Sequence, residues 1–65
     1  DKVMCESQAY LLTAEGEKKI MDNVVFVKPE NGKVYLEDLL GEQKIVEGTI
    51  KEMKLIAHKI IIESN

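Results

Sequence analysis

Apolar and polar side chains alternate over short segments of this chain, and turn-forming residues separate the segments. Between residues 33 and 38, Val34 and Leu36 alternate with Lys33, Tyr35 and Glu37, which is the two-residue period of a half-buried β-strand. No window carries apolar residues at the i, i+3, i+4, i+7 spacing of an amphipathic helix over three turns. The pattern therefore predicts an all-β protein.

Turn signals divide the chain into five predicted strands, which cover residues 4–13, 18–28, 33–38, 43–56 and 59–63. Asn31-Gly32 is the clearest turn, since both residues tolerate the positive φ angles of a tight hairpin. Gly48 interrupts the long fourth segment and predicts a bulge or a sharp bend. Five or six short strands with regular turns are typical of a small antiparallel SH3-like barrel or roll.

Two segments are apolar on both faces, residues 24–27 and 60–62. Only one face of a strand in a single-layer barrel can point inward, so the other face is either covered by neighbouring chain or exposed. Contiguous exposed apolar surface usually marks an interaction site. Because small oligomers favour two-fold symmetry, a homodimer interface is the expected use of that surface.

The size and charge of the chain limit the functions that it can have. The chain has 65 residues and a net charge of −3, so we expect a single small β-barrel domain over residues 1–65. There is no arginine, the nine lysines are scattered, and the three aromatic residues lie far apart in sequence. Nucleic-acid binding is therefore unlikely by composition, because it usually needs a basic stripe and stacking rings.

Cys5 is the only cysteine, so an internal disulfide is excluded. An unpaired thiol suits a reducing compartment, and no segment is apolar and long enough to span a membrane, so we expect a cytoplasmic protein. Cys5 is either a small buried hydrophobe, a redox thiol or a metal ligand. No catalytic constellation accompanies it, and we expect no enzyme activity.

A metal site through Cys5 requires ligands from elsewhere. One cysteine and one histidine, His58, cannot build a closed four-ligand zinc site in a monomer, and His58 is expected to be an exposed hairpin residue. In a two-fold dimer, two Cys5 thiolates and two backbone nitrogens could supply four ligands. Planar nitrogen and thiolate ligation suits Ni(II) or Cu(II) better than zinc. Met21 and Met53 are expected to pack in the core.

The segment Met4-Cys5-Glu6-Ser7-Gln8-Ala9-Tyr10-Leu11, followed by a Glu-Gly turn, resembles the start of the CooT family of small nickel-binding proteins. The turn order and length agree over residues 4–63. The resemblance implies a homodimeric SH3-like β-protein that binds Ni(II), one metal per homodimer, through the cysteine after the initiator methionine, here Cys5. It also implies nickel delivery to carbon monoxide dehydrogenase. Residues 1–3 would then be either a cloning remnant or a genuine extension.

Two other function classes stay open from the residues alone. A protein-interaction domain would use the apolar strand faces, and substitution of Cys5 would leave its partner binding unchanged. An RNA-binding small β-barrel would show salt-dependent affinity through phosphate contacts, which the missing basic patch disfavours.

Overall fold

The computed structural model describes residues 7–65, and it contains five β-strands. They are β1 (Ser7–Thr13), β2 (Gly16–Glu30), β3 (Lys33–Asp38), β4 (Gln43–Lys54) and β5 (Lys59–Ser64). The predicted turns separate the strands as expected, and β2 extends two residues beyond each predicted end. The described residues include no helix that could cross a membrane.

The strands form a closed barrel in the order β1-β2-β3-β4-β5. Each pair that is consecutive in the chain is antiparallel, which confirms the predicted fold class. The barrel closes differently, because β5 pairs with β1 in parallel from Gln8↔Lys59 to Leu12↔Glu63. Within residues 7–65 every strand has a hydrogen-bonded neighbour on each side for part of its length.

A small apolar core fills the barrel. Val34, Leu36 and Ile62 are fully buried and contribute its largest enclosed side chains. Val34 and Leu36 alternate with more exposed residues along β3, as the two-residue period requires. The buried core cluster consists of Ala9, Met21, Val24, Val34, Leu36, Ile60 and Ile62.

The β2–β3 hairpin turns at Asn31-Gly32, where φ is +50° and +76°. Both angles lie in the left-handed region that a two-residue type I′ turn needs. Glu30 pairs with Lys33 and Pro29 with Val34. In such a hairpin the closing pair exchanges hydrogen bonds and the next pair does not, so Pro29 is tolerated inside β2 instead of ending it.

Each of the two long strands, β2 and β4, pairs with two neighbouring strands. β2 pairs with β1 up to Val24 and with β3 from Val24 onward, and the change follows Asn23, whose φ is +54°. β4 pairs with β3 up to Glu47 and with β5 from Gly48 onward. Gly48 is thus the point where β4 changes partner, while the register irregularity of β4 lies farther on, between Ile50 and Glu52.

The two segments that are apolar on both faces behave differently. Ile60, Ile61 and Ile62 are all buried within one chain, so the covered alternative holds for β5. Val25 and Phe26 are 44% and 47% exposed, so the exposed alternative holds for β2.

We expect Gly48→Ala to lower the free energy of unfolding by about 2–4 kcal/mol, as overpacking against rigid backbone does. A Cβ at this position would collide with the backbone oxygen of Glu63 and lie 3.1 Å from the Ile62 Cγ2. Urea unfolding followed by circular dichroism measures the change.

Gly41→Ala is the matched control. A Cβ at Gly41 meets nothing within 4 Å, although φ is +89°, so the loss there should be only about 1 kcal/mol of backbone strain. Equal losses in the two variants would show that the approach of β5 does not select glycine at position 48.

Candidate metal centre

The two residues at the centre of the metal hypothesis, Met4 and Cys5, lie outside the described residues. The neighbourhood that the structure does describe begins at Ser7, two residues after Cys5. The described residues nearest to them in sequence form the start of β1.

The start of β1 is fixed on both sides. Ser7 pairs with Val24 of β2, and Gln8 pairs with Lys59 of β5. The backbone N–H of Gln8 also donates a 2.9 Å hydrogen bond to the carbonyl of His58 in the β4–β5 turn. These contacts place the first residues of β1 beside that turn.

An apolar depression of about 180 Å³ opens where β1 starts, and Ser7 forms part of its lining. Val25, Met53 and Leu55 also line it, and all three are exposed, Leu55 to 82%. Ile56, the next residue in the turn, is almost fully exposed. This end of the barrel therefore presents an apolar surface of the kind that usually contacts a partner.

Two lysines, Lys54 and Lys59, also line the depression, and Lys59 connects three strands there. Its Nζ lies 2.9 Å from the Glu17 Oε1 and 4.7 Å from the centre of the Tyr10 ring. The hydrogen bond to Glu17 raises the pKa of Lys59, although partial burial acts in the opposite direction. The ammonium group remains charged at neutral pH and holds the outer face of β5 against β1 and β2.

His58 is exposed, as predicted, and its φ of +55° shapes the turn. Its backbone N–H donates a 3.3 Å hydrogen bond to the carbonyl of Leu55. His58 thus shapes the β4–β5 turn through its backbone.

Carboxylates are prominent at the other end of β4, but they hold local structure. The Asp22 Oδ1 forms a 3.0 Å ion pair with the Lys19 Nζ. The Asp38 Oδ1 accepts hydrogen bonds from the backbone N–H groups of Leu40 and Glu42. Within residues 7–65 no group of three or more histidine, cysteine, aspartate or glutamate side chains could hold a metal ion.

The methionines divide between core and surface. Met21 is buried in the core cluster, as predicted. Met53 was expected in the core as well, but it is 47% exposed and lines the apolar depression. The prediction for Met53 is wrong because β4 extends beyond the barrel core at that point.

One feature escaped the sequence analysis. Phe26 and Tyr35 lie far apart in the chain, but their ring centroids are 5.8 Å apart on the outer face of β2 and β3. The Asn31-Gly32 turn could have predicted this contact. A two-residue turn pairs Lys28 with Tyr35 and so brings Phe26 close to the Tyr35 ring.

Comparison with known proteins agrees with this architecture. The family model described as "CO dehydrogenase accessory protein CooT" matches residues 4–63. The chain is similar in structure to a protein described as CooT from Carboxydothermus hydrogenoformans, whose crystal structure superposes with a TM-score of 0.85. The identity is 26%, and the match covers 94% of this chain and 98% of that one.

Two archaeal relatives are also similar over most of their length. An uncharacterized protein of Archaeoglobus fulgidus is 44% identical over 43 residues, which is 66% of this chain and 96% of that protein. An uncharacterized protein of Methanothermobacter thermautotrophicus is 33% identical over 63 residues, 97% of this chain and 94% of that protein. The matched family consists of accessory proteins and not of enzymes. The chain belongs to the CooT family of CO dehydrogenase accessory proteins.

Proposed function

We propose that this protein is a cytoplasmic Ni(II)-binding accessory protein, in which two copies of the chain bind one metal ion through Cys5 and pass it to a nickel enzyme such as carbon monoxide dehydrogenase. The observation that carries the proposal is the family match, which spans residues 4–63 and therefore includes Cys5. Nickel is the cargo in this proposal and not a resident cofactor.

The chemistry of Cys5 suits such a cargo. A thiolate is the softest ligand among the side chains and, together with nitrogen donors, favours the planar coordination that Ni(II) adopts. One thiolate from each of two copies would supply half of a four-coordinate site. Main-chain nitrogens near each Cys5 would supply the other two ligands.

The described end of the barrel supports a site shared by two copies. Ser7, the first described residue, follows Cys5 by two positions in the sequence. Ser7 lines the apolar depression together with Val25, Met53 and Leu55. A second copy that covered these side chains would bury apolar surface, which stabilises association by about 25 cal/mol per Å² before the costs of binding.

A site of this kind is suited to transfer. Only one thiolate per copy would hold the ion, so a receiving site with more thiolates could displace the ligands stepwise. An ion at a dimer seam near the chain start would also be reached more easily than one enclosed in the core.

Substitution of the thiol tests the ligand. We expect Cys5→Ser to weaken Ni(II) binding by at least about 100-fold, because a neutral hydroxyl replaces a soft thiolate. Isothermal titration of the whole chain with NiCl₂ measures the affinity, and native mass spectrometry measures the ratio of one ion to two chains.

His58→Ala is the matched control, since His58 is the only histidine and lies beside the start of β1. It should bind nickel as the unsubstituted protein does. Undiminished affinity in Cys5→Ser, or a large loss in His58→Ala, would refute Cys5 as the sole side-chain ligand.

A charge at the apolar end tests the dimer. We expect Leu55→Asp to weaken self-association at least about tenfold, equivalent to about 1.4 kcal/mol, because it places a carboxylate in the proposed seam. Leu40→Asp is the control, since Leu40 is 86% exposed but lies in the turn at the opposite end of β4. Sedimentation equilibrium measures both, and equal effects would contradict the proposed location of the seam.

Acid should release the metal. Thiol ligands must lose their protons to bind, and a free cysteine has a pKa of about 8.5. Below that pKa, two thiolates per ion predict an apparent affinity that falls by at least about 100-fold for each unit by which the pH is lowered. Competition titrations with a nickel chelator between pH 6 and 8 measure the slope, and a flat profile would exclude thiolate ligation.

A further inference from the structure

A groove on the outer face of β2, β3 and β4 plays no part in the proposed nickel site. Its volume is about 550 Å³, its apolar lining is Phe26, Tyr35 and Ile45, and its charged lining is Lys28, Glu30 and Lys33. It shares no lining residue with the depression at the start of β1.

Strand register explains how the groove forms. Lys28, Tyr35 and Ile45 stand directly opposite one another on three adjacent strands. Neighbouring strands lie about 4.8 Å apart, so the row is about 10 Å wide. Lys33 stands one step along the same face of β3, opposite Glu30.

The apolar residues of the groove are not needed by the core. Val34, Leu36 and the partly buried Val46 point inward from β3 and β4 and pack in the barrel. Ile45 points outward and is 66% exposed, and Phe26 is 47% exposed. Exposed apolar side chains side by side on three strands are typical of a contact surface.

The aromatic pair is held in one arrangement. The rings of Phe26 and Tyr35 meet edge to face, with an interplanar angle of 73°, a geometry that aromatic pairs favour. The Tyr35 hydroxyl donates a 3.2 Å hydrogen bond to the Glu37 Oε1. Partial burial, and then the Glu37 carboxylate, raise the pKa of Tyr35, so its hydroxyl stays protonated at neutral pH.

The lysines give the groove a charge opposite to that of the whole protein. Lys28 and Lys33 form no ion pair with any residue in the range 7–65. They occupy diagonal positions on β2 and β3, where two residues are typically about 7–8 Å apart. The groove lining carries two positive charges and one negative, while the chain carries a net charge of −3.

We infer that this groove binds a short extended segment of a partner protein that presents an apolar side chain and, two residues away, a carboxylate. Alternate side chains of an extended peptide point the same way and are about 6.8 Å apart. The apolar side chain packs against Phe26, Tyr35 and Ile45, and the carboxylate lies between the ammonium groups of Lys28 and Lys33.

The dimensions and charges favour this occupant over two others. A standard interface between folded proteins uses about 20–30 residues on each side. Far fewer residues line the groove, so the groove is too small to be the whole interface with a second copy of the chain. A nucleic acid carries a phosphate on every nucleotide, and Glu30, Glu37 and Glu47 on the same face would repel it. A peptide with one carboxylate faces two ammonium groups, those of Lys28 and Lys33, and the single carboxylate of Glu30.

Capped pentapeptides test the inference. The probe is acetyl-Ser-Phe-Ser-Glu-Ser-amide, and the comparison peptides replace its Glu with Lys or its Phe with Ala. We expect the probe to shift the ¹H–¹⁵N resonances of Phe26, Lys28, Tyr35 and Ile45 and to bind at least about tenfold more tightly than either comparison peptide. The Cys5→Ser variant should bind it equally, so this test is independent of the nickel proposal.

Paired variants separate groove charge from overall charge. Lys28→Gln with Lys33→Gln should weaken probe binding at least about tenfold, while Lys18→Gln with Lys51→Gln changes the net charge equally and should have no effect. The inference is overturned if the probe fails to bind, if the lysine peptide binds as well, or if both double variants behave alike. Tighter binding of a uridine hexamer at the same residues would assign the groove to nucleic acid and also overturn it.

Discussion

Closure of the barrel by the parallel β1–β5 pair is the constraint on which the rest of this structure depends. Five strands can enclose a core of so few side chains only if every strand has a neighbour on both sides. β2 and β4 therefore pair with two neighbours in succession, and each changes partner partway along its length. The requirement appears in the sequence at Gly48, where the Glu63 backbone lies too close for a Cβ, and at Asn23, whose φ is positive.

Closure also determines which end of the barrel the N-terminal segment meets. Because β1 and β5 run in the same direction, β1 starts beside the turn that leads into β5, and Gln8 donates to the carbonyl of His58. That turn carries Leu55 and Ile56, the most exposed apolar residues of the turn region. An antiparallel closing pair would have placed the start of β1 at the other end of β5, away from this apolar surface.

The local features of the fold were predictable because they depend on a few adjacent residues. The alternation of β3 and the Asn31-Gly32 turn set a register that pairs Glu30 with Lys33. The parallel β1–β5 pair was not predictable in this way, because no local pattern of residues 8–12 encodes a partner some fifty positions later. The exposure of Met53 was missed for a related reason, since burial at the end of β4 depends on how far the barrel core extends.

The chemistry of the site was predictable to a different extent. The sequence offers one candidate thiol ligand, Cys5, and the family match spans it. The second copy that the proposed site requires would leave no periodic signal in one chain. Phe26 and Tyr35 lie far apart in the sequence, which argued against a surface of adjacent rings. Hairpin register alone nevertheless brings the two rings together. Strand register thus determines which side chains meet on the surface of this small barrel.

Two separate surfaces on so small a protein have a mechanical consequence. The groove and the apolar depression share no lining residue, so a partner held by Phe26, Tyr35 and Ile45 would not cover the start of β1. An accessory protein that releases a metal ion to an enzyme has to keep the ion accessible while the enzyme is bound. In the proposed function, contacts that hold a partner in the groove and ligands that hold the ion would lie on separate surfaces and could change independently.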